Sequence, residues 1–194
     1  MSDRQNVLFV TIDQFRADCL FGALGDYVKL PNLRALMQDG VSFTQHFSVC
    51  APCGPSRASI LTGQYARNHR AVRNGTPLRR DTPNLATEVR KGGYLPLLFG
   101  YTDSAQDPRG MHPNDPALGT YEEVMPGFHE VLRMRMEDDI GPWRTDLVAK
   151  GYDVPPFPDV YRPSGDQIDD PAIYSAQDSD TAFMADAVIK DLAA

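Results

Sequence analysis

The run Cys53-Gly54-Pro55-Ser56-Arg57-Ala58-Ser59-Ile60-Leu61-Thr62-Gly63 constrains this chain more than any other stretch. It carries its own start and stop signals for one short helix. Ser56 has a side chain suited to an N-cap, and Gly63 suits the left-handed position just past a helix end. The spacing predicts a helix between them, with Cys53 in the turn that feeds it. Backbone N–H groups at a helix start point outward and favour an anion. Arg57 adds a permanent charge and a planar donor fork. A thiol and a guanidinium on an anion-favouring helix start form a catalytic arrangement.

The flanking segments predict an α/β fold with a mainly parallel sheet flanked by helices. Val7-Leu8-Phe9-Val10-Thr11-Ile12 is a continuous apolar, β-branched run, the pattern of a strand buried on both faces. It ends at Asp13-Gln14, and in open α/β sheets the carboxyl ends of strands carry the site. Leu33, Leu36 and Met37 have helical spacing after Pro31-Asn32, and Gly40 closes that helix. Val41 to Phe47 alternates as a second strand would. Leu85 and Val89, stopped by Gly92-Gly93, mark another helix. Tyr94 to Phe99 has the look of a further strand, ending at Gly100-Tyr101-Thr102. Strand, helix, strand, helix, helix, strand is an α/β order.

The texture changes after Asp103. Proline, glycine and acidic residues are frequent and apolar periodicity is weak. Glu130 to Glu137, where Met134 and Met136 alternate with Arg133 and Arg135, is open between a short strand and a helix. Pro155-Pro156-Phe157-Pro158 is extended. Ala182, Phe183, Ala185, Val188, Ile189 and Leu192 lie on one face of a closing helix. The expected division is therefore a sheet core with the motif over 1–102, an irregular excursion over 103–179 and a helix over 180–194.

Composition excludes several classes. The 194 residues carry a formal charge of −7, which disfavours nucleic acid and anionic membrane as partners. Met1 to Asn6 shows no apolar leader and no stretch is long enough to span a bilayer, so the default compartment is the cytoplasm. Cys19, Cys50 and Cys53 are an odd count and give no disulfide framework. Cys50 and Cys53 have Cys-x-x-Cys spacing. Zinc would need a second ligand pair, and a thioredoxin-like site would need a different context.

Cys53-Gly54-Pro55-Ser56-Arg57 followed by Leu61-Thr62-Gly63 resembles the signature of the sulfatase family, in the alkaline-phosphatase-like superfamily. The longer stretch from Cys50 to Asn74 is most similar to the phosphonate monoester hydrolase and arylsulfatase branch. The resemblance covers essentially the whole chain but only the N-terminal part of that family's length. It implies that a formylglycine-generating enzyme oxidises Cys53 to an aldehyde. The hydrated aldehyde would attack a sulfate, phosphonate or phosphate ester through one hydroxyl, and loss of the proton from the other would release the product.

By the same resemblance Asp13 and the modified Cys53 bind a divalent metal, manganese or calcium. Gln14 assists as a neutral neighbour where many sulfatases have a second Asp. Arg57 holds the hydrated aldehyde and its charge. Asn74 donates to an oxygen of the transferred group, and Tyr101 and Thr102 line the substrate. Tyr101 stands where many sulfatases carry Lys, which favours less charged esters. Asp103 falls where those sulfatases carry His. A carboxylate there would repel an anionic substrate, so it is expected to be turned away, protonated or a mark of lost activity. His69 is read as structural, and His112 and His129 as surface residues.

Three readings follow. One is a hydrolase of small anionic esters. Another is an inactive truncated remnant, or a subunit needing a complementary chain, because the family's remaining metal ligands lie far towards its C-terminus. The last is an anion-binding module built on the Cys53 helix start. An uncovered sheet edge would also encourage self-association into a homo-oligomer.

Overall fold

The computed structural model describes residues 5–135 and 139–193. These fall into two compact units, 1–48 and 49–194. In the first, α1 (Asp18–Phe21) is a single turn and α2 (Pro31–Asp39) starts on a proline. A proline fits there because a first-turn N–H has no helical partner to lose. Gly40 follows α2, as its sequence predicts.

Two strand expectations fail in this unit. Neither 7–12 nor 41–47 forms a strand. Val7 and Val10 are 81% and 66% exposed, and Val41, Phe43 and Phe47 are exposed as well. Apolar, β-branched composition favours an extended chain, but a strand exists only where a neighbour completes its ladder. Neither run has such a neighbour among the described residues.

The second unit opens with α3 (Cys53–Thr62), α4 (Ala66–His69) and α5 (Leu85–Lys91). Gly63 ends α3 in the left-handed region at φ +67°, and its N–H donates to the Ser59 carbonyl over 2.9 Å. Asn84 starts α5 with a reciprocal cap. Its side chain accepts from Thr87 N–H, while Thr87 Oγ1 accepts from Asn84 N–H. The strand expected over 94–99 is shorter. β1 (Leu97–Phe99) begins only after Pro96, which has no N–H to offer a ladder. It pairs in parallel with β2 (His129–Leu132), so the segment left open between strand and helix begins as a strand. Met136 and Glu137, at its far end, lie outside the described residues.

Two apolar cores hold this unit. Ala58 and Leu61 of α3 meet Ala71, Leu78 and Met125, with Phe128 against them. The second core is Met134, Ile140, Trp143, Leu147 and Val160. It rests on α6 (Gly141–Ala149), within the stretch expected to be irregular, and takes in Phe183 and Met184 from α7 (Asp180–Leu192). Trp143 is fully buried. It stacks on Tyr161, meets Tyr174 edge-on, and donates its indole N–H to the Asp178 carbonyl over 2.8 Å. The weak periodicity of this stretch reflects a core assembled from aromatics in loops rather than from one helix face. No helix among the described residues is long and apolar enough to cross a membrane.

Candidate active site

Cys53 is the first residue of α3, not part of a preceding turn. The N-cap is Pro52 rather than Ser56, and Ser56 N–H already donates to the Pro52 carbonyl at 3.1 Å. The helix begins four residues early because Gly54 and Pro55 are both admissible in a first turn, where N–H groups need no helical acceptor. The Cys53 sulfur therefore stands directly at the helix start, with its partial positive charge.

Asn74 clamps this start. Its Nδ2 donates to Cys53 Sγ over 3.1 Å, and its Oδ1 accepts from Gly54 N–H over 3.0 Å. One amide thus orients the sulfur and satisfies an orphan helix donor. The approach favours glycine at 54, since a Cβ there would lie 3.0 Å from Asn74 Oδ1 and 3.4 Å from its Cα and would push the amide back. Arg57, one helical turn on, lays its guanidinium over the Tyr101 ring, 4.9 Å from the centroid. This cation–π contact joins α3 to the loop beyond β1.

That loop is set by Gly100, at φ +100°, whose N–H donates to the Leu132 carbonyl over 2.8 Å. Thr102 follows, nearly fully buried. Its hydroxyl donates to the Glu123 carbonyl and accepts from Met125 N–H, both at 2.8 Å. The Thr102 proton is thereby spent on the backbone, and the residue pins the loop. Asp103 sits at φ +56°, a strained position for a side chain with a Cβ. It is 5% exposed, its carboxylate lies close enough to push the Cys53 thiol up, and its Oδ2 has no hydrogen-bond partner among the described residues. Asp103 is therefore turned inward against the sulfur, contrary to one of its three expected dispositions.

Burial, then the neighbouring Asp103, push the Cys53 thiol up from its usual range, against the opposing pull of the Asn74 amide and Gly54 N–H. Reactive cysteine nucleophiles are held as thiolates by a lowered pKa. Cys53 is held the other way, as a neutral thiol.

The structure thus gathers Cys53, Arg57, Asn74 and Tyr101 around the start of α3, with Thr102 behind them. Asp13 and Gln14 belong to the first unit. Gln14 adopts φ +51° at the end of the 7–12 run. Sequence reasoning missed the close approach at Gly54 and left the direction of Asp103 open. The Cys-Gly-Pro order was the available signal for the first, and nothing in the local sequence signalled the second. No group of three or more His, Cys, Asp or Glu residues suited to a metal ion occurs among the described residues.

A family model described as Sulfatase matches residues 5–187. The multifunctional alkaline phosphatase superfamily protein PehA of Trinickia caryophylli is 37% identical over 196 residues, covering 94% of this chain and 37% of that protein. Among solved structures, the phosphonate monoester hydrolase SpPMH from Silicibacter pomeroyi matches with a TM-score of 0.92 and 61% identity, over 97% of this chain and 38% of that one. The phosphonate monoester hydrolase of Agrobacterium radiobacter matches with a TM-score of 0.90 and 45% identity, over 98% and 38%. Both bear out the alkaline-phosphatase-like α/β class. The chain spans a little over a third of the length of these relatives.

Proposed function

This chain belongs to the sulfatase family, and we propose that it carries the nucleophile-bearing part of a hydrolase of sulfate, phosphonate or phosphate esters, with Cys53 as the residue converted to formylglycine. The observation that carries the reading is the seating of Cys53. It is the first residue of α3, gripped by Asn74, with Arg57 one turn along the same helix and against the Tyr101 ring. A thiol pushed up by burial and by Asp103 is a poor nucleophile as it stands, so the chemistry falls to its oxidised form. Formylglycine supplies an attacking hydroxyl and a second one through which the covalent link can be released.

The chain's own residues do the rest. The α3 start and Arg57 offset the negative charge of the transferred group. Asn74, already set on the sulfur position, donates to a non-bridging oxygen there, and Tyr101 offers a neutral hydroxyl in place of a cation. Thr102 contributes by holding the Tyr101 loop. Within this proposal, residues 1–102 bear the site, 103–179 buttress it with the second core, and 180–194 close that core. A divalent metal, manganese or calcium, belongs to the family reading, with Asp13 and the modified Cys53 as ligands and Gln14 beside them. Among the described residues no three His, Cys, Asp or Glu side chains are grouped to hold a metal ion. Weak metal binding by this chain is the expectation.

The test is coexpression with a formylglycine-generating enzyme, followed by peptide mass spectrometry. Aldehyde at Cys53 and not at Cys50 is the expected result. Modification at Cys50, or at neither thiol, overturns the assignment. Nitrophenyl sulfate and phosphodiester assays with manganese or calcium, beside Cys53→Ala, then measure how much turnover this length of chain supports alone. Little or none is expected.

A further inference from the structure

The stretch that delivers Asn74 is tied back to α3 by one imidazole. His69, the last residue of α4, is 9% exposed. Its Nδ1 accepts from Ala71 N–H at 3.0 Å, and its Nε2 lies 2.8 Å from Ser59 Oγ on α3. Ser59 Oγ in turn lies 3.3 Å from Cys50 Sγ, just ahead of the Cys53 helix start. A backbone N–H can only donate, so Nδ1 carries no proton. The ring is then the neutral tautomer with its proton on Nε2, donating to Ser59. Ser59 Oγ, accepting from Nε2, is also in contact with the Cys50 sulfur, so the network links Ala71, His69, Ser59 and Cys50.

We infer that His69 is a positioning residue of the Cys53 site, a tautomer-locked strut that sets the Asn74 loop against α3 so that the Asn74 amide meets the Cys53 sulfur. The geometry leaves little slack. Ala71 is three residues from Asn74, and Ser59 is on the same helix as Cys53. Ala71 is itself buried in the core with Ala58 and Leu61, so the loop is fixed by packing on one side and by His69 on the other. A histidine that merely filled space would not need both ring nitrogens matched, one as acceptor and one as donor. Asparagine could reproduce only the contact to Ala71, and glutamine only the contact to Ser59.

Two measurements on the full chain test this, and neither needs metal or turnover. They can fail while the hydrolytic reading stands, and the reverse. First, nitrogen-15 NMR of the His69 ring at pH 7.5 should show a neutral imidazole protonated at Nε2. An Nδ1-protonated ring or an imidazolium overturns the inference. Second, the rate of Cys53 alkylation by iodoacetamide, read by peptide mass spectrometry at one pH, reports the clamp. Asn74→Ala and His69→Ala should each change it about fivefold, the size of one net hydrogen bond. The double variant should change it no further than the larger single, because both remove the same contact. Multiplying effects, or a null effect of either single, overturns the strut. Should His69→Ala not fold, Ser59→Ala and His69→Gln take its place in the same cycle, with the same outcomes.

Discussion

Residues 49–194 hold two buried apolar cores, while among residues 5–48 no apolar side chain is buried. Ala58, Trp143, Leu147 and Val160 are at most 1% exposed, whereas Val7, Leu8, Phe9 and Val10 are all more than half exposed. Both regions contain short helices, and neither α1 nor α2 buries a single residue. The difference lies in what each kind of element needs. A helix satisfies its backbone within itself, so caps and stops suffice to place it. A strand borrows its hydrogen bonds from elsewhere. The 7–12 and 41–47 runs carry the composition of buried strands, but among the described residues no strand pairs with them.

The sharpest way to break this comparison is Trp143→Ala. The substitution empties the centre of the second core and removes the donor to the Asp178 carbonyl. A loss of about 3–5 kcal/mol is expected in urea unfolding. A loss below about 1 kcal/mol would mean that the aromatic cluster is not a core at all, and that the two regions differ less than their burial suggests.

Gly54→Ala comes next. Its Cβ would press on Asn74 Oδ1 at 3.0 Å and meet the Asp103 carbonyl in ordinary contact at 3.5 Å. Neither neighbour is the loose end of a long side chain, since Asn74 is held by two hydrogen bonds. The expected cost is about 1–3 kcal/mol, with the Cys53 alkylation rate shifted as in Asn74→Ala. Wild-type stability with an unchanged rate would show that the clamp can slide, and the close approach at Gly54 would lose its meaning.

A smaller effect separates the site from the rest of its unit by pH. Burial pushes the His69 imidazole down from its ordinary 6.5. Below pH 6.5 the unfolded chain therefore takes up a proton that the folded chain resists. The His69 contribution is present in full above pH 6.5 and is lost as pH falls through the lowered folded value. Protonation would also set an Nδ1–H against Ala71 N–H. The expected outcome is a fall in thermal midpoint between pH 7 and pH 5 that is shallower in His69→Gln. Parallel profiles for the two proteins would contradict it.

Much of this was legible in the sequence, and the misses have physical causes. The helix ending at Gly63, the one closed by Gly40 and the one over 180–192 announced themselves through local signals. The family resemblance named Cys53, Arg57, Asn74 and Tyr101 as site residues together with Asp13, and the contacts around α3 involve the first four. The helix start itself was misplaced at Ser56 because Gly54 and Pro55 look like breakers, although a first turn accepts both. Helix α6 was hidden because only Trp143 and Leu147 of its nine residues are buried. The inward turn of Asp103 depends on a left-handed backbone at a residue other than glycine, a tertiary constraint that no local pattern encodes.

The smallest expected effect is the control on the other side of the comparison. Val10 is 66% exposed in a run without a ladder partner among the described residues. Replacing it with serine removes little buried area and breaks no described contact, so the cost in this chain should stay within about 0.5 kcal/mol. Measured beside Trp143→Ala under the same urea conditions, the pair turns the difference between the two regions into one ratio. A Val10→Ser cost comparable with that of Trp143→Ala would place the 7–12 run inside a packed sheet in solution. The strand pattern of this run would then be fulfilled, and the contrast drawn from burial would collapse.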